Sequence, residues 1–168
     1  TAFEGPAYVR LGRAAVPTFY TKEAAKEIRI GKAATLREGA KADGGHADIT
    51  IIATGIMVSE AMQAAEELAA EHGIEARVID MHTIKPLDAE AIVKAAEETG
   101  AIVTAEEHSV IGGLGSAVAE VVTTHCPVKM YMVGQQDTFG ESGKPDELKK
   151  KYGMTKDDIV KGVLTLRK

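Results

Sequence analysis

The sequence predicts a single α/β domain in three layers: a mostly parallel mixed sheet of about five strands with helices on both faces. Three observations carry this. Short apolar runs alternate with amphipathic segments at 48–53, 58–69, 76–81, 88–99 and 101–105, the βαβαβ order that forces crossovers and a parallel sheet. Glycines stand where helices should stop, at Gly73 and Gly100. The length, 168 residues, suits one domain plus tails.

Taken in order, Pro6-Ala-Tyr-Val-Arg-Leu11 reads as a strand closed by Gly12, with little of its own to pair with. From Pro17 to about Lys32 charges are frequent and alternation is poor, as in a linker over a surface. Ala33-Ala-Thr-Leu-Arg37 is read as a short edge strand, and Glu38 to His46, with three glycines, as a loop. Asp48-Ile-Thr-Ile-Ile-Ala53 is a run of buried-strand type turned at Thr54-Gly55. The next helix places Val58, Met62, Ala65, Leu68 and Ala69 on one face. Ala76–Met81 is a second regular strand, Asp88–Thr99 a second helix with Asp88 as its N-cap, and Ala101–Ala105 a third strand. Gly112 to about His125 is a helix opened by glycines and Val128–Val133 a last strand. A polar loop over 134–144, a helix begun by Pro145 and a final helix N-capped by Thr155 complete the chain. Ile159, Val160, Val163 and Leu164 should bury that last helix against the sheet.

Composition excludes several functions. No stretch approaches the ~18 uninterrupted apolar residues of a membrane span. A net charge of −5, with basic residues scattered among acidic ones, leaves no stripe for a nucleic-acid backbone. The single cysteine, Cys126, cannot close an internal disulfide and reads as a small core residue; with no leader in view, the cytoplasm is the expected location.

Three constellations stand out. Glu106-Glu-His-Ser-Val-Ile-Gly-Gly-Leu-Gly115 sits at the end of a strand and opens a helix, where open α/β sheets bind ligands. Either the helix amides hold an anion with His108 as acid or base, or Gly112, Gly113 and Gly115 permit a tight turn and close packing. Val118 stands where a dinucleotide fingerprint needs its third glycine, which argues against NAD. Met81-His-Thr-Ile-Lys-Pro-Leu-Asp88 ends another strand; His82 and Lys85 have no metal-like partner spacing, and structural roles are favoured. Arg10-Leu-Gly-Arg13 sets two guanidinium forks about a glycine, a match for phosphate oxygens. Phe139, in the turn-rich Asp137–Gly143, suggests a contact with another chain or local packing.

Six strings in order, Val9-Arg-Leu-Gly-Arg-Ala-Ala-Val-Pro17, Gly31-Lys-Ala, Thr50-Ile-Ile-Ala-Thr-Gly55, Met81–Asp88, Glu106-Glu-His108 with Gly112–Ser116, and Asp137-Thr-Phe-Gly-Glu-Ser-Gly143, resemble the C-terminal subunit of split bacterial transketolases. The Pro-Leu-Asp and Glu-x-His-x-x-x-Gly-Gly pieces are also similar to deoxyxylulose-phosphate synthase and to 2-oxo-acid dehydrogenase β-subunits. The resemblance implies an enzyme that moves ketol units between sugar phosphates, with thiamine diphosphate and magnesium bound by domains outside this chain and none expected within it. Residues 1–20 would be the end of the pyrimidine-binding domain and a linker, and 21–168 the C-terminal domain. No catalytic residue and no metal ligand is expected here, and the isolated chain should be inactive. Arg13, four residues before Pro17, matches the family's sugar-phosphate arginine, with Arg10 assisting. The implied partners are the diphosphate-binding and pyrimidine-binding domains or subunit, sugar phosphates, and further copies in a homo-oligomer such as a dimer. The rival from another class is a stand-alone anion- or partner-binding module using the crevice at His108 and Gly113.

Overall fold

A computed structural model describes residues 4–12 and 14–168. The first regular element is a one-turn helix, α1 (Lys22–Lys26), N-capped by Thr21, inside the segment read as a linker. Five strands follow, β1 (Ala34–Arg37), β2 (Ile49–Ala53), β3 (Ala76–Asp80), β4 (Ala101–Ser109) and β5 (Lys129–Gln135), in the spatial order β1-β3-β2-β4-β5. All neighbours are parallel except β1, which runs antiparallel on the edge of β3. The mixed, mostly parallel sheet is as predicted.

Every side chain of β2 and β3 is buried, because helices cover both faces of the sheet. Ile49, Ile51 and Ala53 join Leu68 of α2 (Met57–His72) and Ile159 and Val163 of the last helix in one core. Ile52 and Ile102 join Ile92 of α3 (Ala89–Thr99) and Leu114 and Val118 of α4 (Leu114–His125) in the other. Burying such a Leu or Ile side chain contributes roughly 1.5–3 kcal/mol. The α2 face is rotated slightly from the predicted one: Ala61 and Ala64 are buried, whereas Met62 lies at the margin of the core. Small alanines let that helix approach the sheet closely. Gly73 and Gly100 end α2 and α3 in the left-handed conformation, at φ 63° and 68°. Two short helices close the chain, α5 (Pro145–Lys151) and α6 (Lys156–Leu166), the latter opened by a reciprocal capping box between Thr155 and Asp158.

Two expectations need correction. Residues 6–11 form no strand; Tyr8 is 90% and Leu11 85% exposed. An apolar alternation makes a strand only if a neighbouring strand satisfies its backbone groups, and β1 to β5 leave none beside it. The third regular strand also does not stop at Ala105. β4 runs on to Ser109, with its register against β5 shifting between Ala105 and Ser109. The shift kinks the strand and re-aims Glu106, Glu107 and His108.

Helix α2 leads from β2 to β3 on one side of the sheet, whereas α4 leads from β4 to β5, in the opposite direction, on the other. The connections therefore diverge at the C-terminal ends of β2 and β4, the place where doubly wound sheets open a crevice.

Candidate functional site

Around that switch point lie Thr54–Ile56 after β2, Asp80–His82 at the end of β3, and Glu106–Gly115 from the register shift in β4 onward. Glu106 is 2% exposed. Its Oε2 accepts from the Leu114 amide at 2.7 Å and its Oε1 from the Gly115 amide at 2.8 Å, so the open amides of α4 already hold a carboxylate from this chain. Gly113 makes room for it: a Cβ there would collide with Glu106 Oε2 and stand 2.7 Å from the Ser109 carbonyl. Gly115 lets α4 approach β4 and β5, since a Cβ would meet Met132 Sδ at 2.9 Å and Thr104 Oγ1 at 3.0 Å. Gly112 has φ 75° and donates its amide to Ser116 Oγ. Burial raises the Glu106 pKa above its ordinary value, against the opposing pull of the two amides, His108 and Arg10.

His108 is half exposed; its Nδ1 lies 2.8 Å from the Ser109 carbonyl and 3.9 Å from Glu106 Oε2. Arg10 reaches the same place from the N-terminal segment. Its Nη1 donates to the Glu107 carbonyl at 2.8 Å and its Nη2 is 3.5 Å from Glu107 Oε2. Gly12 passes over the end of β2, where a Cβ would stand 3.0 Å from Ile56 Cγ2. The structure thus brings Arg10 together with the Glu106–His108 loop. Arg13 lies outside the described residues.

Further along, Phe19 packs on the α2 side of the sheet, and Tyr20 donates its hydroxyl to Asp80 Oδ2 at 2.5 Å. Burial, reinforced by the Asp80 carboxylate, pushes the Tyr20 hydroxyl far above the usual phenol range. Burial also raises Asp80, while Tyr20 and His82 pull it back. His82 Nδ1 lies 2.9 Å from Thr83 Oγ1, and its Nε2 is buried without a hydrogen-bond partner. Asp88 caps α3 as predicted, accepting from Ala91, and also accepts from the Ala33 amide, which ties the edge strand to the helix. Cys126 packs half-buried at the margin of the second core. Phe139 is 98% exposed, so its ring makes no local core contact.

Sequence reasoning missed Tyr20, Asp80 and the capping role of Glu106. Tyr20 and Asp80 are 60 positions apart, and no local pattern links them. Glu106 left a fainter signal, an acidic residue late in a strand just before a Gly-Gly helix start with no Ser, Thr or Asp to cap it.

The described residues contain no group of three or more His, Cys, Asp or Glu placed to hold a metal ion, and the glycine-flanked amides that open α4 are filled by Glu106. Thiamine diphosphate and magnesium therefore find no fitting cradle among them. No helix among these residues is long and apolar enough to cross a membrane.

The family model described as transketolase, C-terminal domain, matches residues 31–159. A 6-deoxy-6-sulfo-D-fructose transketolase subunit of Clostridium sp. (strain MSTE9) is 51% identical over 95% of this chain and 47% of its own length. An apulose-4-phosphate transketolase subunit of Phocaeicola vulgatus is 47% identical over 95% of this chain and 48% of its own. The 1-deoxy-D-xylulose-5-phosphate synthase of Desulforudis audaxviator is 41% identical, over 94% of this chain and 24% of its own. Among solved structures, a split-gene transketolase described as an inactive beta4 tetramer superposes with a TM-score of 0.86 at 48% identity, covering 98% of this chain and 50% of that one. The chain spans about half the length of the transketolase subunits it matches.

Proposed function

We propose, from the premise that this chain belongs to the transketolase C-terminal domain family, that it completes a transketolase whose cofactor-binding domains lie outside it. The observation that carries this is the near-full-length identity of 51% and 47% to two transketolase subunits, against 41% to a deoxyxylulose-phosphate synthase. Thiamine diphosphate with magnesium, held by the other domains, supplies the chemistry of carbon–carbon cleavage. This chain supplies support and one end of the substrate site. Residues 1–20 are the end of the pyrimidine-binding domain and the linker, and 21–168 the C-terminal domain. The exposed, unpaired segment at 6–11 supports that division, since its apolar side chains await a neighbour.

Arg13 is the residue we assign to the substrate's terminal anion. Its position four residues before Pro17, where the family's sugar-phosphate arginine stands, supports the assignment. A guanidinium fork offers paired donors to a phosphate. A sulfonate presents a similar face of oxygens, and the 51% identical relative is named for a sulfonated ketose, so a sulfosugar is the second reading. The Gly112–Gly115 loop is assigned to structure, with the Glu106 carboxyl group occupying its amides; this also argues against the stand-alone anion-binding module. The enzyme is expected to work as a homo-oligomer in the cytoplasm, on pentose phosphates or related sugars.

The test is a coupled ketol-transfer assay with thiamine diphosphate and magnesium, on this chain alone and on the complete assembly. Turnover confined to the assembly is expected. Turnover by this chain alone at ordinary enzymatic rates would refute the supporting-domain reading.

A further inference from the structure

We infer that the open edge of β5 is a self-association surface, on which a second copy of this chain pairs its own β5 antiparallel about a two-fold axis near Met132 and joins two sheets into one. The inference rests on the homo-oligomer expected above and names its contact surface. The two edges of the sheet differ in kind. β1 is four residues long, slips register against β3 between Thr35 and Arg37, and ends in the charged pair Arg37-Glu38. Short length, a bulge and charge are the devices that keep an edge from pairing. β5 has seven residues, no proline and one charge, Lys129 at its start, and its register against β4 shifts only past Val133. No strand among the described residues covers its outer side, so the backbone donors and acceptors there are left to water or to another chain.

What the edge carries selects the partner. Over 126–138 the only Lys, Arg, Asp or Glu side chains are Lys129, at one end of β5, and Asp137, just past the other. Antiparallel pairing about Met132 brings the Lys129 end of each copy to the Asp137 end of the other, whereas parallel pairing sets like charges side by side. It also places Tyr131 of each copy opposite Val133 of the other, an aromatic against a β-branched side chain, and Met132 opposite itself. Beside the edge, between α4 and β5, runs a shallow groove lined by Ser116, Ala119, Glu120, Thr123, Thr124 and Met132. Its mostly short side chains leave room for a second copy to approach. A two-fold contact uses the same patch on both copies, so it closes at a dimer.

The test is sedimentation velocity on this chain over a range of concentrations, with cross-linking in a Cys126→Ala background. A concentration-dependent dimer is expected. Lys129→Glu, at an exposed side chain, should raise its dissociation constant about 10-fold. Adding Asp137→Asn, which removes the repulsion and suits the positive φ of 44° there, should recover part of that loss. Met132→Cys stands on the two-fold axis, where facing Cα atoms are roughly 4.5–5.5 Å apart, and should link the copies under mild oxidation; Lys129→Cys, far from the axis, should not. Thermal melts check that each variant folds, and Lys129→Glu decides the matter if Met132→Cys does not fold. A chain that stays monomeric from micromolar to millimolar concentration, a dimer indifferent to Lys129→Glu, or equal linking through Lys129→Cys overturns the inference. Each of these leaves the transketolase reading standing, because turnover of the complete assembly tests that separately.

Discussion

Ile49–Ala53 and residues 6–11 are both short apolar runs that end close to a glycine, yet one is wholly buried at the centre of the sheet and the other lies open, with Tyr8 and Leu11 almost fully exposed. Both carry β-branched or aromatic residues, although Pro6 and Ala7 make the N-terminal run the weaker strand former. What differs most is the company: β2 has a parallel neighbour on each side and a helix layer on each face, whereas among the described residues the N-terminal run has no strand beside it and meets the domain through side chains such as Arg10 and, further on, Tyr20. A strand-like sequence states a need for a partner, and of these two runs the chain meets that need for β2 alone. The need left open at 6–11 is what a second domain would satisfy.

Substitutions on either side of this contrast should differ sharply in cost. The largest effect belongs to the core: Leu68→Ala should destabilise the chain by about 3 kcal/mol, read by chemical denaturation, whereas Leu11→Ala should shift its stability by less than about 0.5 kcal/mol. If Leu11→Ala cost as much as Leu68→Ala, residues 6–11 would be part of the domain's own core. Next comes Gly113→Ala, whose Cβ would collide with Glu106 and the Ser109 carbonyl; a loss of roughly 2 kcal/mol is expected, with the α4 amides losing hydrogen-exchange protection. Glu106→Gln keeps the shape but can no longer accept from both amides, and should cost about 1–2 kcal/mol.

The smallest effect is in pH. The Glu106 pKa is raised in the folded chain, so the fold binds that proton more tightly than the unfolded chain does, and the group's contribution to stability is complete below its ordinary value of 4.5 and declines as pH rises through the folded value. The stability gap between wild type and Glu106→Gln should therefore narrow as pH is raised from below 4.5. A gap that widens instead would mean that the two amides outweigh burial.

Much of the fold is legible in the sequence because its signals are local. Gly73, Asp88 and Gly100 each act within one helical turn, and the runs at 49–53 and 76–80 are long enough to be read as strands unaided. The site is less legible. The glycine-rich loop stands out, but its occupant, Glu106, becomes visible only once the kink in β4 turns its carboxylate onto the amides eight and nine positions ahead. Arg10 and Arg13 look like a phosphate pair because they are close in sequence, whereas the contact Arg10 makes is with Glu107, 97 positions away. Pairings of that range depend on the sheet order, which periodicity does not specify. The exposed Phe139 marks a second place, beyond β5, where the chain's surface is open to a neighbour.

The assignment of Arg13 to the substrate's anion stands or falls on the steady-state kinetics of Arg13→Ala in the complete enzyme, with a ketose phosphate and its unphosphorylated counterpart. KM for the phosphorylated ketose should rise roughly 10- to 100-fold while the unphosphorylated ketose is handled as by wild type, the signature of a lost charge-assisted hydrogen bond. An equal effect on both substrates, or none on either, would contradict it.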